Sequence, residues 1–276
     1  VGGMLGHKVY QRLATEDIWR FGTLRASRSE MPYARIPWMQ DEAHVFDRVD
    51  AMEWPRLNTL LTTVRPEVTV NCIGVIKQRE EAKAPVSSTT LNALLPHRLL
   101  DAVSTWNGRL IHISTDCVFS GNRGGYHEDD LPDADDLYGR TKYLGEVTAT
   151  PRLTLRTSMI GRELTGHRSL LDWLLQQGGR TIQGYTRAIY SGLTTVYLAD
   201  LIARLITERP ALHGLFQVAS TPISKFELLR LLADAFDLHV RIEPHEGFHC
   251  DRSLDGSRFD RAVGFRCPPW PHLVRA

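Results

Sequence analysis

The sequence has little cysteine, no long apolar run and no excess of either charge. Its four cysteines, Cys72, Cys117, Cys250 and Cys267, show no C-x-x-C spacing, which favours reduced thiols in a cytoplasm over a disulfide framework or a zinc site. Its apolar stretches are far shorter than the roughly 20 residues of a membrane-spanning helix. With 33 basic and 32 acidic residues, it lacks the positive charge of a nucleic-acid binder. We therefore expect a cytoplasmic protein with a small-molecule partner, no nucleic acid and no membrane.

Two groups of side chains invite a metal-site interpretation, and we reject both. His245 and His249 have the i, i+4 spacing of a helical zinc pair, but Pro244 and Gly247 argue against a helix there. The acidic residues within 128–136 flank Pro132 and lie before a helical stretch. We interpret them as a solvated loop and expect no metal.

What the sequence does contain is a regular alternation of strand-like and helical segments. Strand-like runs lie at 18–24, 68–73, 109–114 and 153–156, with further short ones at 215–218 and 240–242. Helical patterns lie at 4–14, 55–64, 86–106, 137–148, 169–177, 196–208 and 224–236. Parallel strands joined by crossover helices give this order, so we predict an α/β fold with a doubly wound, Rossmann-type parallel sheet. Pro96 predicts a kink inside the third helix.

Tyr138 and Lys142 lie four residues apart on one of these helices and therefore share a face. A free phenol has a pKa of about 10, and a nearby ammonium lowers it. Thr115, at the carboxyl end of the preceding strand, can donate a hydrogen bond to the same substrate oxygen. These three side chains predict a site for carbonyl reduction.

The first residues carry a second motif. Gly3 and Gly6 have the spacing of the last two glycines of G-x-x-G-x-x-G, with Met4 and Leu5 between them. Such glycines let the backbone approach a pyrophosphate at the amino end of a helix. We predict that these four residues form a dinucleotide-binding loop.

Together the motifs resemble the extended short-chain dehydrogenase/reductases, specifically the sugar-nucleotide reductases that are similar to dTDP-4-dehydrorhamnose reductase. The resemblance rests on Gly-Gly-Met-Leu-Gly at 2–6, Val-Asn-Cys-Ile-Gly at 70–74, Ser-Thr-Asp-Cys-Val-Phe-Ser-Gly at 114–121 and Leu-Tyr-Gly-Arg-Thr-Lys at 137–142. It implies that Thr115, Tyr138 and Lys142 are the catalytic triad. It also implies that Asn71 and Gly74 line the cofactor.

The resemblance also implies a domain organisation. We expect an NADP-binding domain at 1–157 and a smaller substrate-binding lobe at 158–276, interleaved so that some late elements return to the sheet. The family's first strand and first loop glycine would precede Val1, so we expect the sequence to be truncated at its amino end.

Cofactor preference is predicted from the end of the second strand. An acidic residue there would bind the ribose of NAD, whereas a basic one accepts the extra phosphate of NADP. The strand ends in Arg25, with Ser27 and Arg28 close by, and we interpret these three as a phosphate pocket that favours NADPH, with NADH as the alternative. Asp50 is placed at the adenine edge.

The resemblance implies NADPH-dependent reduction of the 4-keto group of a dTDP- or UDP-linked 6-deoxy sugar, in nucleotide-sugar and surface-polysaccharide biosynthesis. Arg252 is expected to pair with the substrate diphosphate, and Asp116 and Arg162 to line the sugar pocket. Two alternatives stay open: an epimerase or dehydratase with the same triad, and a non-catalytic NADP-binding subunit such as the regulatory subunit of methionine adenosyltransferase. The particular sugar is undetermined, and a homodimer remains an alternative to a monomer.

Overall fold

A computed structural model describes residues 1–75, 84–149, 151–166 and 168–275. Its helices are α1 (Gly6–Leu13), α2 (Trp54–Val64), α3 (Pro85–Ser88), α4 (Leu95–Ser104), α5 (Leu137–Leu144), α6 (Leu170–Leu175), α7 (Thr195–Thr207), α8 (Lys225–Ala235), α9 (Ser257–Val263) and α10 (Trp270–Leu273). Its strands are β1 (Gly22–Thr23), β2 (Val45–Phe46), β3 (Val68–Asn71), β4 (Arg109–Thr115), β5 (Leu153–Thr157), β6 (Met159–Ile160), β7 (Thr181–Tyr185), β8 (Ala188–Tyr190), β9 (Leu193–Thr194), β10 (Gly214–Gln217), β11 (Ile223–Ser224), β12 (Arg241–His245) and β13 (Cys250–Asp251).

The main sheet is parallel and has the strand order β10-β5-β4-β3. Every residue of β4 is buried, and alternate residues of this strand face opposite layers. Leu110 packs with Leu57 of α2 and Leu99 of α4, whereas Ile111 packs with Val9 of α1 in the layer that also holds α7. Helices therefore cover both faces of the sheet, which confirms the predicted doubly wound α/β fold.

The strands β1 and β2 form a separate parallel pair. The amino group of Val1 donates to the carbonyl of Thr23 at 2.5 Å, and burial lowers the pKa of that amino group to about 6. The strand that we expect before Val1 would lie outside this sequence, so it stays a prediction.

Late elements return to the main sheet. The strand β10 pairs with β5 from Gly214 to Gln217, and α7 packs against α1. The remaining late strands form small sheets of their own, in the orders β11-β8-β13, β12-β7 and β6-β9. These small sheets, with α6 and α8, build the part of the molecule that carries its own apolar cluster. The domain boundary near residue 157 stays a prediction.

Where the sequence predicted a kink at Pro96, the structure has a change of helix type just before this residue. A wide π-helical turn, Thr89–Leu94, separates α3 from α4, and Leu95 donates its N–H to the carbonyl of Thr90. Pro96 has no N–H to complete a regular turn. The carbonyl of Asn92 instead faces Gly145, where any side-chain carbon would collide with it. This close approach ends α5 at Leu144 rather than at the predicted residue 148.

The second strand is much shorter than predicted. The sequence pattern indicated a strand over 18–24, whereas β1 covers Gly22–Thr23 and Trp19 is 83% exposed. Pairing with β2 begins only at Gly22, so the part of this apolar run that precedes Gly22 is a surface segment.

Candidate active site

The carboxyl end of β4 and the first turn of α5 bring Thr115 and Tyr138 together. The Asp136 side chain caps α5 by accepting the N–H of Gly139 at 2.7 Å. Gly139 allows the helix to approach the carbonyl of Cys117, because a side chain at this position would collide with that oxygen. The half-buried Tyr138 is consequently held with its phenol beside the Thr115 side chain.

Thr115 lies at the centre of a small hydrogen-bond network. Its hydroxyl donates to the Asp116 carboxylate at 3.0 Å and accepts the backbone N–H of Cys117 at 3.1 Å. A hydroxyl has one proton, so Thr115 cannot donate to Asp116 and to the Tyr138 oxygen at the same time. The predicted arrangement, in which Thr115 donates to substrate, therefore requires the hydroxyl to leave Asp116 first.

The expected lowering of the Tyr138 pKa by Lys142 is wrong for this structure. Burial raises the pKa of Tyr138 well above its usual value, and the nearby Cys117 and Asp116 add to the increase, while the bond with Thr115 opposes it. The Lys142 ammonium points elsewhere, into the protein beneath α5. The phenol therefore keeps its proton at neutral pH.

Lys142 is 4% exposed and donates from Nζ to the carbonyl of Ile113 at 2.8 Å. Burial lowers its pKa to about 8. A side-chain carbon at Gly74 would lie 4.0 Å from this nitrogen. The structure thus brings the predicted Gly74 and Lys142 side by side.

The loop before α1 fits a dinucleotide in part. A side-chain carbon at Gly3 would meet no atom within 4 Å, whereas one at Gly6 would lie 3.4 Å from the Val1 backbone. Gly3 is therefore open to a ligand and Gly6 permits tight packing. The side chain of Leu5 is 4% exposed and belongs to the core, so its predicted contact with cofactor is limited to its backbone. Met4 is half-buried between them.

Asn71 does not present its side chain to a ligand, in contrast to the prediction. It is 2% exposed, its Oδ1 accepts the N–H of Ile73 at 3.0 Å, and its Nδ2 faces His112 Nδ1 at 3.1 Å. Both polar atoms are used within the protein because the side chain points into the space beneath α5.

The predicted phosphate pocket is only partly available. Arg25 is exposed, but Arg28 is paired with Asp47 at 3.1 Å and donates to the carbonyl of Val45 at 2.7 Å. Ser27 is buried and bonds the Ser29 hydroxyl at 2.8 Å. Within the described residues, Arg28 Nη1 is a buried donor with no partner.

Two other predicted residues are tied to neighbours in the chain. The Asp50 carboxylate accepts the N–H of Met52 at 2.9 Å. Arg162 pairs with the buried Asp172 at 2.6 Å while its own side chain is 54% exposed. Neither contact points to a ligand.

Arg252 stabilises the turn that follows Thr115, and this role differs from the predicted contact with a substrate diphosphate. Its Nε donates to the carbonyl of Phe119 at 2.8 Å and its Nη2 to that of Ser120 at 3.2 Å. The predicted substrate residue Asp116 is 7% exposed and bonds Thr115, and burial raises its pKa. Both residues support the catalytic turn from inside.

Sequence reasoning missed Lys225, which approaches the site from the start of α8, beside Tyr190 of β8. The Lys225 ammonium lies 5.4 Å from the centre of the Tyr190 ring. Burial lowers the pKa of Lys225, while the nearby Asp116 opposes that effect. No local pattern indicated this proximity, because it depends on how α8 and β8 pack against the turn after β4.

His112 and Ser114 were also missed, although the sequence carried a signal. They alternate within an apolar strand, so their side chains share the face that α5 covers. The Ser114 hydroxyl donates to Glu146 at 2.7 Å, and His112 Nε2 lies 3.5 Å from Lys142 Nζ. Polar residues at every second position of a buried strand predict partners on the covering helix.

The acidic segment is not uniformly solvated, which corrects the prediction for Glu128. This residue is 7% exposed and accepts the N–H of Gln217 at 2.9 Å. Asp133 accepts from Ser120 at 2.7 Å. In the described ranges, no cluster of three or more His, Cys, Asp or Glu side chains could hold a metal ion. Over those same ranges, no helix is long and apolar enough to cross a membrane.

Comparison with known proteins adds to this geometry. A family model described as the RmlD substrate binding domain matches residues 1–247. Methionine adenosyltransferase 2 subunit beta from Xenopus tropicalis is 22% identical over 99% of this chain and 86% of its own length. A probable dTDP-4,6-dihydroxy-2-methyloxan-3-one 4-ketoreductase from Streptomyces antibioticus is 28% identical over 79% of this chain and 68% of its own.

A solved structure has the same fold. It is a dTDP-4-dehydrorhamnose reductase from Bacillus anthracis in complex with NADP, with a TM-score of 0.74 and 20% identity over 93% of this chain and 98% of that one.

Proposed function

The chain belongs to the family of the RmlD substrate binding domain, and we propose that it reduces the 4-keto group of a nucleotide-linked 6-deoxy sugar with NADPH. The observation that carries this proposal is the phenol of Tyr138 beside the Thr115 hydroxyl at the end of β4, with Lys142 buried next to Gly74. A carbonyl placed against that phenol and hydroxyl would be polarised and then protonated. The product serves nucleotide-sugar and surface-polysaccharide biosynthesis.

The residues present fit a nicotinamide dinucleotide. The open side of Gly3 leaves the backbone accessible at the start of α1, where the helix dipole favours a pyrophosphate. Arg25 is exposed and Arg28 keeps an unpartnered Nη1, so an extra ribose phosphate would find donors there. Asp47 opposes such a phosphate because its pKa is lowered by Arg28 and it stays charged. We expect a preference for NADPH over NADH that this carboxylate weakens.

The proton chemistry follows from the protonation states of the site. When bound, the cofactor supplies a hydride to the carbonyl carbon. Tyr138 donates its proton to the oxygen, for which it is suited because burial keeps the phenol protonated. Thr115 turns its hydroxyl from Asp116 to the same oxygen and stabilises the charge that develops there. Lys142, with a pKa of about 8, can take up and release a proton near neutral pH and so help to reprotonate the phenol.

A second candidate function is a non-catalytic regulatory subunit. It is favoured by the similarity to methionine adenosyltransferase 2 subunit beta, which extends over 99% of this chain. Such a subunit has no need of a proton donor. The contact between Tyr138 and Thr115, with a buried lysine beneath it, supports the enzyme.

The proposal is tested by following NADPH oxidation with a panel of enzymatically generated dTDP- and UDP-linked 4-keto-6-deoxy sugars. We expect turnover with at least one sugar, consuming one NADPH per sugar. Tyr138→Phe should lose about 10²–10⁴-fold in kcat, since positioned proton transfer contributes that factor, and should keep NADPH binding. Tyr143→Phe is the matched control, because Tyr143 lies on the same helix and is 41% exposed.

Each other outcome would redirect the assignment. Sugar conversion without net NADPH consumption would indicate an epimerase or dehydratase. NADPH binding without conversion of any sugar, together with binding to a methionine adenosyltransferase catalytic subunit, would indicate the regulatory subunit. Equal turnover by Tyr138→Phe and Tyr143→Phe would remove Tyr138 from the mechanism.

A further inference from the structure

Beneath the candidate catalytic lysine, three buried side chains from β3, β4 and α5 form a polar row. Asn71, His112 and Lys142 are 2%, 0% and 4% exposed. Asn71 Nδ2 lies 3.1 Å from His112 Nδ1, and His112 Nε2 lies 3.5 Å from Lys142 Nζ. The imidazole therefore connects the amide to the amine and has no part in the mechanism described above.

The orientation of the Asn71 amide is fixed by a backbone donor. Its Oδ1 accepts the N–H of Ile73 at 3.0 Å, and a rotated amide would set its NH₂ group against that N–H. The NH₂ group, which can only donate, consequently faces His112 Nδ1. This ring nitrogen must present its lone pair.

His112 has only one proton to place. Burial lowers its pKa well below the usual value, and the charges of Lys142 and His97 act in the same direction, so the ring is neutral. Since Nδ1 accepts from Asn71, the proton resides on Nε2. That N–H is directed toward Lys142 Nζ.

We infer that Asn71 and His112 are positioning residues for Lys142, which hold an N–H dipole against its amine and favour the neutral form that can accept a proton. A neutral amine has a lone pair for this N–H, whereas an ammonium has none and is repelled by the dipole. The link to catalysis rests on the proposed function, since only that function gives Lys142 a part in the reaction.

Other groups near Lys142 favour its protonated form and so oppose the effect of the His112 N–H. Burial lowers the pKa of Lys142, while Glu146, just after α5, and Cys72, after β3, both raise it. The negative charge of Glu146 is offset by Arg156, which contacts it at 2.7 Å. The carbonyl of Ile113 accepts from Nζ at 2.8 Å and is compatible with either protonation state.

The first test is a measurement on the wild-type protein, and a variant serves only for assignment. The chain has 11 histidines, and 15N spectra of histidine-labelled wild-type protein report which ring nitrogen is protonated, with His112 assigned by His112→Gln. We expect an unprotonated Nδ1 and a protonated Nε2 in His112. A proton on Nδ1 would overturn the inference outright.

The second test reverses the tautomer. In Asn71→Asp, the carboxylate can still accept from Ile73 but requires a proton on His112 Nδ1, so Nε2 becomes an acceptor for the Lys142 ammonium. Asn71→Leu removes the amide donor without adding charge and frees the ring to do the same. The chain has five lysines, so the 13Cε shift of Lys142 can be followed by NMR. Its midpoint, about 8 in the wild type, should rise by about one pH unit or more in both variants.

The control is Thr154→Val, which removes a fully buried hydroxyl that bonds Val147 at 2.6 Å on the neighbouring strand. It should leave the Lys142 midpoint in place. An equal shift in this control, or no shift in Asn71→Asp and Asn71→Leu, would refute the positioning role.

Turnover gives an independent readout of the same effect. The pH profile of Asn71→Asp should move upward with the Lys142 midpoint, whereas purely structural damage would lower turnover at every pH. The NMR titrations require no substrate. If the Lys142 midpoint shifts in the variants but the protein reduces no keto sugar, the proposed function is wrong and this inference stands. If the enzyme is active but the Lys142 midpoint does not shift in the variants, this inference is wrong and the proposed function stands.

Discussion

The hydroxyl of Thr115 donates to the carboxylate of the adjacent Asp116 across 3.0 Å. The same oxygen accepts the N–H of Cys117 at 3.1 Å, and the phenol of Tyr138 lies beside it. The side chain that is to polarise a substrate carbonyl thus has its proton engaged by a neighbour. A substrate oxygen must compete with Asp116 for that proton, and burial, which raises the Asp116 pKa, makes the carboxylate easier to neutralise during this exchange.

Two variants of Thr115 should distinguish the contribution of its hydroxyl to catalysis from that of its side-chain volume. Thr115→Val preserves shape and should lose about 10²–10³-fold in kcat, the usual effect of removing one oxyanion donor. Thr115→Ser keeps the hydroxyl and should stay within about tenfold of the wild type. Steady-state kinetics with the best keto sugar provide the measurement. Full activity in Thr115→Val with a large loss in Thr115→Ser would mean that the methyl group, not the hydroxyl, matters.

Cofactor preference should respond in opposite directions to two changes near β1. Arg25→Ala removes the exposed cation and should raise KM for NADPH by about tenfold, which corresponds to one charged hydrogen bond, with KM for NADH unchanged. Asp47→Asn releases Arg28 from its ion pair and should lower KM for NADPH. Arg35→Ala, which alters another exposed arginine, is the control. Parallel changes for the two cofactors would argue against a phosphate contact.

The buried ion pair between Glu146 and Arg156 should stabilise the fold around the site. Its side chains are 4% and 2% exposed and make two contacts, at 2.7 and 2.8 Å. Glu146→Gln should lower the free energy of unfolding by about 3–5 kcal/mol, because it leaves a buried guanidinium uncompensated. The double variant with Arg156→Met should be less destabilised than the sum of the single changes. Urea denaturation of the four proteins measures this coupling, and simple additivity would contradict it.

Lys142→Met should make the protein more stable at neutral pH while removing activity. The Lys142 pKa falls from 10.5 to about 8 on folding, so between these values the unfolded chain binds more protons than the folded one. The free-energy penalty of burying the Lys142 ammonium is fully present below pH 8 and disappears above pH 10.5. It is on the order of 2–3 kcal/mol before the lost hydrogen bond is considered. Denaturation of both proteins at pH 7 and pH 10.5 measures it. A stability difference that does not change with pH would refute the assignment.

Much of the fold was predictable because its signals are local. The alternation of apolar runs gave β3, β4 and β5 within one residue or so of their observed bounds, as did the helical patterns for α7 and α8. The short strands β8, β11 and β13 were not foreseen. They hold two or three residues each, too few for a periodic pattern, and they form only where distant segments meet.

The features of the site likewise include some that local sequence patterns predicted and others that depend on contacts between distant segments. Helical periodicity placed Tyr138 and Lys142 on one face, and the end of a buried strand indicated Thr115. What the pattern could not give was where each polar atom points. Arg28 pairs with Asp47, 19 residues away, and Arg252 bonds the carbonyl of Phe119, 133 residues away.

The sequence alone predicted the main strands and helices, the glycine loop and the three residues proposed for catalysis, because these signals lie within a few residues of one another. Only the tertiary structure decided the protonation states. It buried the Tyr138 phenol and raised its pKa, buried Lys142 and lowered its pKa to about 8, and set His112 beneath that amine. Desolvation and long-range hydrogen bonds control these properties, and neither exists until the chain has folded.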